Sequence, residues 1–165
     1  MISFTRDGRD VESFFCNKCA LRSNDAICRH VVAGIVETRL TLGKTASATT
    51  AVTETNTARA VGSGTLSVFA MPMMIALMEQ AACQCLSDVL EDGQTSVGTQ
   101  ISVEHTAASP IGTEITATAT IESVCGRKIE FAVTASDGTG EIEKGKHTRV
   151  IIGAERFMAK VRTKI

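Results

Sequence analysis

The sequence contains no tryptophan and no tyrosine, and six phenylalanines are spread over its 165 residues. Stacking platforms for single-stranded nucleic acids are built largely from aromatic rings, so this composition disfavours such a platform. An excess of positive charge is also missing, because 17 Lys and Arg residues face 18 Asp and Glu residues. Without a basic field to hold a phosphate backbone, nucleic acid is not an expected partner.

Long hydrophobic runs are absent as well. The longest apolar stretch, around residues 71–78, ends at Glu79 and Gln80, well short of the roughly 18–20 apolar residues that cross a membrane. The N-terminal segment MISFTRDGRD is polar and has no apolar centre of the kind found in secretory signals. The sequence therefore predicts a cytoplasmic protein with no membrane partner and one main domain.

Three of the six cysteines lie in residues 1–33, which show little strand pattern. We interpret this segment as a short Cys-rich, helical extension, followed by the main domain at 34–165. The spacing C-x2-C-x8-C-x-H of Cys16, Cys19, Cys28 and His30 would suit a tetrahedral structural zinc site. The alternative is that the cysteines are buried in a helix and His30 is unrelated, and both interpretations stay open.

One long helix is the clearest predicted element. Pro72 fits the first helical position, good helix formers continue to about Leu90, and Gly93 lies just past the end. Apolar residues cover nearly the whole circumference, so we expect this helix to be buried on most sides.

Alternating apolar and polar residues predict extended segments before and after the helix. The predicted segments are 34–43, 45–54, 95–105, 113–124, 127–136 and 141–152. An antiparallel meander with one apolar face can cover a single buried helix only by curling around it. This predicts an α+β hot-dog fold, in which a rim strand pairs with a second copy to give a homodimer with shared sites.

Glu79 is the one carboxylate in the apolar stretch FAMPMMIALMEQAA, residues 69–82. Its neighbours three and four residues away carry no positive charge, so a local ion pair is excluded. We expect burial to raise the pKa of Glu79, as suits a residue that handles protons near neutral pH. The alternative is a side chain that bends toward solvent, which the apolar surroundings disfavour.

His105 shares strand parity with Val97, Ile101 and Val103, so we expect it to face the helix. The sequence thus predicts that His105 meets Glu79, either within one subunit or across a dimer. The alternative is a histidine that is simply part of the core. His147, on the last predicted strand, is interpreted as structural.

Several segments resemble the fluoroacetyl-CoA thioesterase family of hot-dog proteins, over roughly residues 35–165. They are GSGTLSVFAMPMMIALMEQAA, VGTQISVEHTAASPIGTEI, GRKIEFAVTASD and GKHTRVII. The resemblance implies hydrolysis of a short-chain acyl-CoA to the free acid and CoA, with no cofactor required. It assigns the role of nucleophile or base to Glu79 and that of assisting group to His105.

The resemblance also implies a substrate site that includes Ser67, Phe69, Met71 and Gly98, with the thioester carbonyl near the helix N-terminus. Met71 departs from the family pattern, because the family has a threonine there and a thioether cannot donate a hydrogen bond. Thr65 or Ser67 could supply a hydroxyl instead. A second hypothesis therefore stays open, that of a non-catalytic module that binds or senses acyl-CoA.

Overall fold

The computed structural model describes residues 40–164. The predicted extension at 1–33 lies outside these residues, and so do Cys16, Cys19, Cys28 and His30, so the zinc site and the domain boundary stay predictions. Within 40–164, no cluster of three or more His, Cys, Asp or Glu side chains could hold a metal ion. Neither helix of this part of the chain is long and apolar enough to cross a membrane.

The described residues form an antiparallel sheet and two helices. In chain order the elements are β1 (Thr45–Ala51), α1 (Met71–Leu86), β2 (Gln94–His105), β3 (Glu114–Cys125), β4 (Lys128–Asp137), β5 (Gly140–Gly153) and α2 (Ala154–Arg162). The strand order across the sheet is β1-β3-β4-β5-β2, and every neighbouring pair is antiparallel. β1 and β2 are therefore the two edges of the sheet.

α1 lies against β1, β3 and β4, as expected for a sheet wrapped around one helix. Its buried residues recur at helical spacing on one side: Met74, Leu77, Met78, Ala81, Ala82, Cys85 and Leu86. They belong to the same core as the apolar residues of β3 and β4, such as Ile115, Ile121 and Phe131. The prediction of a helix buried on most sides is wrong for the single chain, because Met71 and Met73 on α1 are exposed.

The element boundaries differ from the predicted ones in three places. Of the predicted segment 34–43, residues 40–43 are described, and they lead into β1 through a turn rather than a strand. The β3–β4 turn is made by Gly126 and Arg127, one residue later than predicted, with Gly126 at φ 58°, in the left-handed region that favours glycine. α2 was not predicted.

A β-bulge in β2 decides which side chains of that strand face α1. Gly98 pairs with Arg149 and Gln100 pairs with Thr148, so Thr99 is an extra residue on β2. Such an insertion reverses the alternation of side chains on the two sides of the bulge. Gly98 therefore shares the inner face with His105, and the predicted shared face of Val97 and His105 is wrong.

Candidate active site

Glu79 projects from the middle of α1 toward β2 and β5. Its Oε1 lies 3.6 Å from His147 Nε2 and 3.8 Å from Arg149 Nη1. A methyl group built at Gly98 would lie only 2.3 Å from the same oxygen. The Glu79 side chain is 43% exposed, so the predicted burial is incomplete in the single chain. Arg149 on β5 supplies a positive charge beside Glu79, which the neighbours of Glu79 on the helix do not.

Arg149 is a firmly anchored cation. Its Nε donates to Ser96 Oγ at 2.9 Å, its Nη2 donates to Ser96 O at 2.9 Å, and its side chain is 6% exposed. Its Nη1 lies 3.2 Å from His147 Nε2. Since the planar guanidinium is always charged and is held along several directions, it provides a fixed positive charge beside the Glu79 carboxylate.

His147 is a neutral imidazole in this arrangement. Burial lowers the pKa of His147 below its ordinary value, and its Nδ1–H donates to Gln100 O at 2.9 Å. Nε2 then carries a lone pair, which accepts from Arg149 Nη1. The 3.6 Å approach of Glu79 to His147 is consequently a contact between two acceptors, and the charge that attracts Glu79 is that of Arg149.

His105 lies at the far end of β2 from this cluster. The partners of Gly98 and His105 on β5, Arg149 and Glu143, are six residues apart, which at about 3.3 Å per residue separates Gly98 and His105 by about 20 Å. The Nδ1 of His105 is 2.8 Å from Glu143 Oε2. His105 and Glu79 therefore do not meet within one chain. Of the two arrangements that the sequence left open, only the one across a dimer can bring them together.

Glu143 is a second buried acid, and the sequence reading did not single it out. It lies directly opposite His105 in the β2–β5 ladder, its side chain is 0% exposed, and its Oε1 has no hydrogen-bond partner among the described residues. A signal was present: Glu143, His147 and Arg149 share one strand parity with the apolar Ile151. Ionisable groups on the apolar side of a strand indicate a functional site.

The first turn of α1 offers one main-chain donor to a ligand, the N–H of Met71. The donors around it are already bonded: Phe69 to Ser109 O (2.9 Å), Ala70 to Asn56 O (3.1 Å), and Met73 and Met74 to Ala70 O (2.9 and 3.0 Å). Pro72 has no N–H. Free N–H groups at a helix N-terminus bind anions. If the thioester carbonyl lies near this terminus, as predicted, the Met71 N–H is the group that would donate to its oxygen.

The remaining predicted substrate residues occupy different environments. Met71 is 45% exposed, whereas Phe69 is 3% exposed and belongs to the core, so Phe69 supports the start of α1 from inside. Ser67 is exposed and lines a cavity of about 300 Å³. The other residues lining that cavity are Glu54, Thr57, Arg59, Ala60 and Ile111. Glu79 is not among them, so the cavity and the carboxylate are separate features of the single chain.

A five-stranded antiparallel sheet around a helix that carries a partly exposed glutamate defines a hot-dog protein of the thioesterase class. The family model for fluoroacetyl-CoA-specific thioesterases matches residues 52–155. The chain belongs to this family.

Its relatives agree with that assignment. The fluoroacetyl-CoA thioesterase of Streptantibioticus cattleyicolor is 47% identical over 97 residues, which are 59% of this chain and 70% of the relative. A solved structure of the fluoroacetyl-CoA thioesterase FlK superposes with a TM-score of 0.73 at 38% identity, covering 76% of this chain and 98% of that one. A Thermus thermophilus member of the thioesterase superfamily gives 0.70 at 26% identity, over 74% and 91% of the two chains. The predicted family and hot-dog fold are confirmed.

Proposed function

We propose that the protein hydrolyses a short-chain acyl-CoA thioester to a free acid and CoA. The observation that carries this proposal is the Glu79 carboxylate, which is partly exposed, occupies the space that a side chain at Gly98 would fill, and lies 3.8 Å from the anchored Arg149. Membership of a thioesterase family supports the reaction class. The relatives named as fluoroacetyl-CoA thioesterases support a small acyl group.

Glu79 can act in either of two ways. As a base it takes a proton from water, the resulting hydroxide attacks the thioester carbonyl carbon, and the carbon–sulfur bond breaks. As a nucleophile its carboxylate attacks the carbonyl carbon itself, the carbon–sulfur bond breaks to release the CoA thiolate, and water then cleaves the resulting anhydride to the free acid and the Glu79 carboxylate. In both routes negative charge develops on the carbonyl oxygen, and the Met71 N–H is the donor that we assign to it. No cofactor is needed for these steps.

The geometry of β2 supports the proposal of a site shared between two subunits. Among residues 40–164 this strand is an edge of the sheet, and no described strand pairs with its outer N–H and C=O groups, which could therefore pair with a second copy. Gly98 and His105 lie on the same face near its two ends. Antiparallel pairing of two β2 strands about a two-fold axis near Ser102 would bring His105 of the partner subunit opposite the bulge at Gly98. Glu79 reaches the same point from inside the subunit.

We therefore propose a homodimer with two identical sites, each made from Glu79 of one subunit and His105 of the other. Met71 and Met73 on α1 are exposed, so residues 40–164 leave this side of the helix available to a second subunit, as a dimer would require. His105 would protonate the departing sulfur. The cytoplasmic location also stays a prediction, and it accords with the free thiols of Cys83 and Cys85.

A thiol-release assay across short-chain acyl-CoAs tests the proposed reaction. We expect wild-type turnover, and we expect Glu79→Gln to lower kcat by about 10²–10⁴-fold, the usual contribution of general acid–base catalysis, without altering the melting temperature. Near-normal hydrolysis by Glu79→Gln would remove Glu79 from the mechanism.

The second candidate function is binding or sensing of acyl-CoA without hydrolysis, and Met71 is the observation that favours it. A protein that binds CoA esters but releases no thiol would support this alternative. Met71→Thr separates the two explanations of such a result. If that substitution alone produces turnover, the absent hydroxyl was the cause, and the remaining site is complete.

A further inference from the structure

We propose that Glu143 is a positioning residue that orients His105 for proton transfer. The structure shows the contact between the two side chains, whereas its consequence for hydrolysis rests on the proposed function. Glu143 Oε2 and His105 Nδ1 are 2.8 Å apart, which is a good hydrogen-bond distance. The two residues are also direct partners in the β2–β5 ladder, so the backbone itself holds them side by side.

Burial makes this pair unlike an ordinary surface contact. The Glu143 side chain is 0% exposed, whereas that of His105 is 21% exposed. The Glu143 carboxylate is thus buried, while part of the His105 imidazole is exposed at the surface. A hydrogen bond from Nδ1 to the carboxylate turns the other ring nitrogen, Nε2, away from Glu143. The arrangement presents Nε2 to a ligand from a fixed ring orientation.

The buried Glu143 carboxylate destabilises the folded state, so folding by itself does not explain its presence. A buried carboxylate loses its hydration, and its Oε1 has no compensating hydrogen bond among the described residues. An apolar side chain of similar length would fill the same space without that penalty, and such replacements of buried charges are often neutral or stabilising. Among the described residues, the ion-pair partner of Glu143 is His105. We therefore infer that the function of Glu143 is to hold His105.

The chemistry of hydrolysis gives this pair a defined task. Glu79 takes a proton from the attacking water while the carbon–sulfur bond breaks, and Nε2 of a protonated His105 gives a proton to the sulfur. Transfer of the Glu79 proton back to His105 restores both groups, and the net reaction consumes one water. The Glu143 carboxylate accepts the hydrogen bond from Nδ1 of His105 throughout, so the ring keeps the orientation that directs Nε2 at the sulfur.

β5 supports both halves of such a site. Arg149, which also donates to His147, attracts Glu79 in the first half of β2, and Glu143 holds His105 at the end of β2. In the proposed dimer, each site would receive the first support from one subunit and the second from its partner. The same strand would thereby set the geometry of both reacting groups.

The test is a pair of substitutions at Glu143, with activity and histidine NMR as readouts. Glu143→Met keeps the length of the side chain and removes the acceptor, and Glu143→Gln keeps one acceptor oxygen. We expect Glu143→Met to melt at the wild-type temperature or above and to lower kcat by about 10–100-fold, the loss typical for carboxylates that orient functional histidines. KM should stay unchanged, and Glu143→Gln should recover part of kcat. Glu141→Met, on the same strand but 50% exposed and near Lys144, is the matched control.

Nitrogen-15 shifts of the neutral His105 ring supply a readout that a purely structural role would not move. We expect the proton on Nδ1 in wild type and a shift of the population toward Nε2 in Glu143→Met. An unchanged tautomer with unchanged kcat would overturn the proposal, while loss of turnover in Glu79→Gln would leave the proposed function standing. If wild type hydrolyses no acyl-CoA, the proposed function fails, and the wild-type ring shifts still decide whether Glu143 orients His105. Should Glu143→Met not fold, the ring shifts and kcat of Glu143→Gln decide the same question.

Discussion

Replacing Gly98 with alanine should remove activity while leaving the fold intact. The new methyl group would lie 2.3 Å from Glu79 Oε1 and 3.1 Å from His147 Cε1. The first distance is far below any real contact, so the carboxylate has to move. Glu79 can move at little cost, because its side chain is 43% exposed and the clash involves its flexible end.

The size of the effect follows from the displacement. An ordinary contact begins at about 3.4 Å, so the carboxylate must retreat by about 1 Å, a misplacement that can cost about 10²-fold in rate. Stability should stay level or rise slightly, because alanine restricts the unfolded chain more than glycine does. We therefore predict a fall in kcat of about 10²-fold with a melting temperature within a few degrees of wild type.

The measurement is thiol release under saturating acyl-CoA, together with thermal unfolding of the same preparation. Gly153→Ala is the matched control, since Gly153 also lies in a strand of this sheet and a methyl group there meets nothing within 4 Å. Wild-type kcat in Gly98→Ala would refute the placement of Glu79 as a reacting group, and equal losses in both variants would show that the effect is not specific to the site.

Two further substitutions probe the groups around the site. Arg149→Lys should lower both kcat/KM and the free energy of unfolding, the latter by about 1–3 kcal/mol. The reason is that an ammonium group cannot bond to Ser96 and His147 at the same time as the guanidinium does. Unchanged chemical unfolding and unchanged turnover would contradict the anchoring role of Arg149. Asp137 has a pKa of about 2, below its ordinary 3.8, because Thr139 and then Ser109 donate hydrogen bonds to its carboxylate. The stability that this lowered pKa contributes is complete above about pH 4 and is lost as the pH falls through about 2. Asp137→Asn should thus have a lower melting temperature than wild type at pH 6, and the difference in melting temperature should vanish near pH 2. A difference that does not depend on pH would show that the charged carboxylate is not its cause.

Much of the fold can be read from residue periodicity alone. The apolar run 69–82 with Pro72 near its start predicts α1, and the strict alternation in 113–124 and 127–136 predicts β3 and β4. In each case one buried face imposes the pattern. α2 lacks such a face, since none of its residues is buried. Phe157, Met158 and Val161 do recur at helical spacing, but the segment is short and rich in charge, and it was interpreted as a solvated basic surface.

The candidate site was only half predictable. Glu79 stands out because a carboxylate interrupts an apolar stretch, and that signal is local. Its partner Arg149 lies 70 positions later on β5, and the two meet only because α1 packs against the sheet. Gly98, an isolated glycine inside a strand pattern, is a local hint of the bulge at Thr99, but it does not show that the bulge turns Gly98 toward Glu79. His105 was placed on the correct face, but its distance from Glu79 depends on where along the edge strand each group lies.

Subunit complementation tests the central claim, a site shared between two copies of the chain, most directly. Glu79→Gln and His105→Ala are each expected to be inactive as homodimers. In a mixed dimer one site keeps both intact groups and the other has neither, so random exchange of equal amounts should restore about a quarter of the wild-type activity. Recovery at that level, with mixed dimers confirmed by differently tagged subunits, is the predicted result. Mixed dimers that form and stay as inactive as the two parents would contradict the shared site.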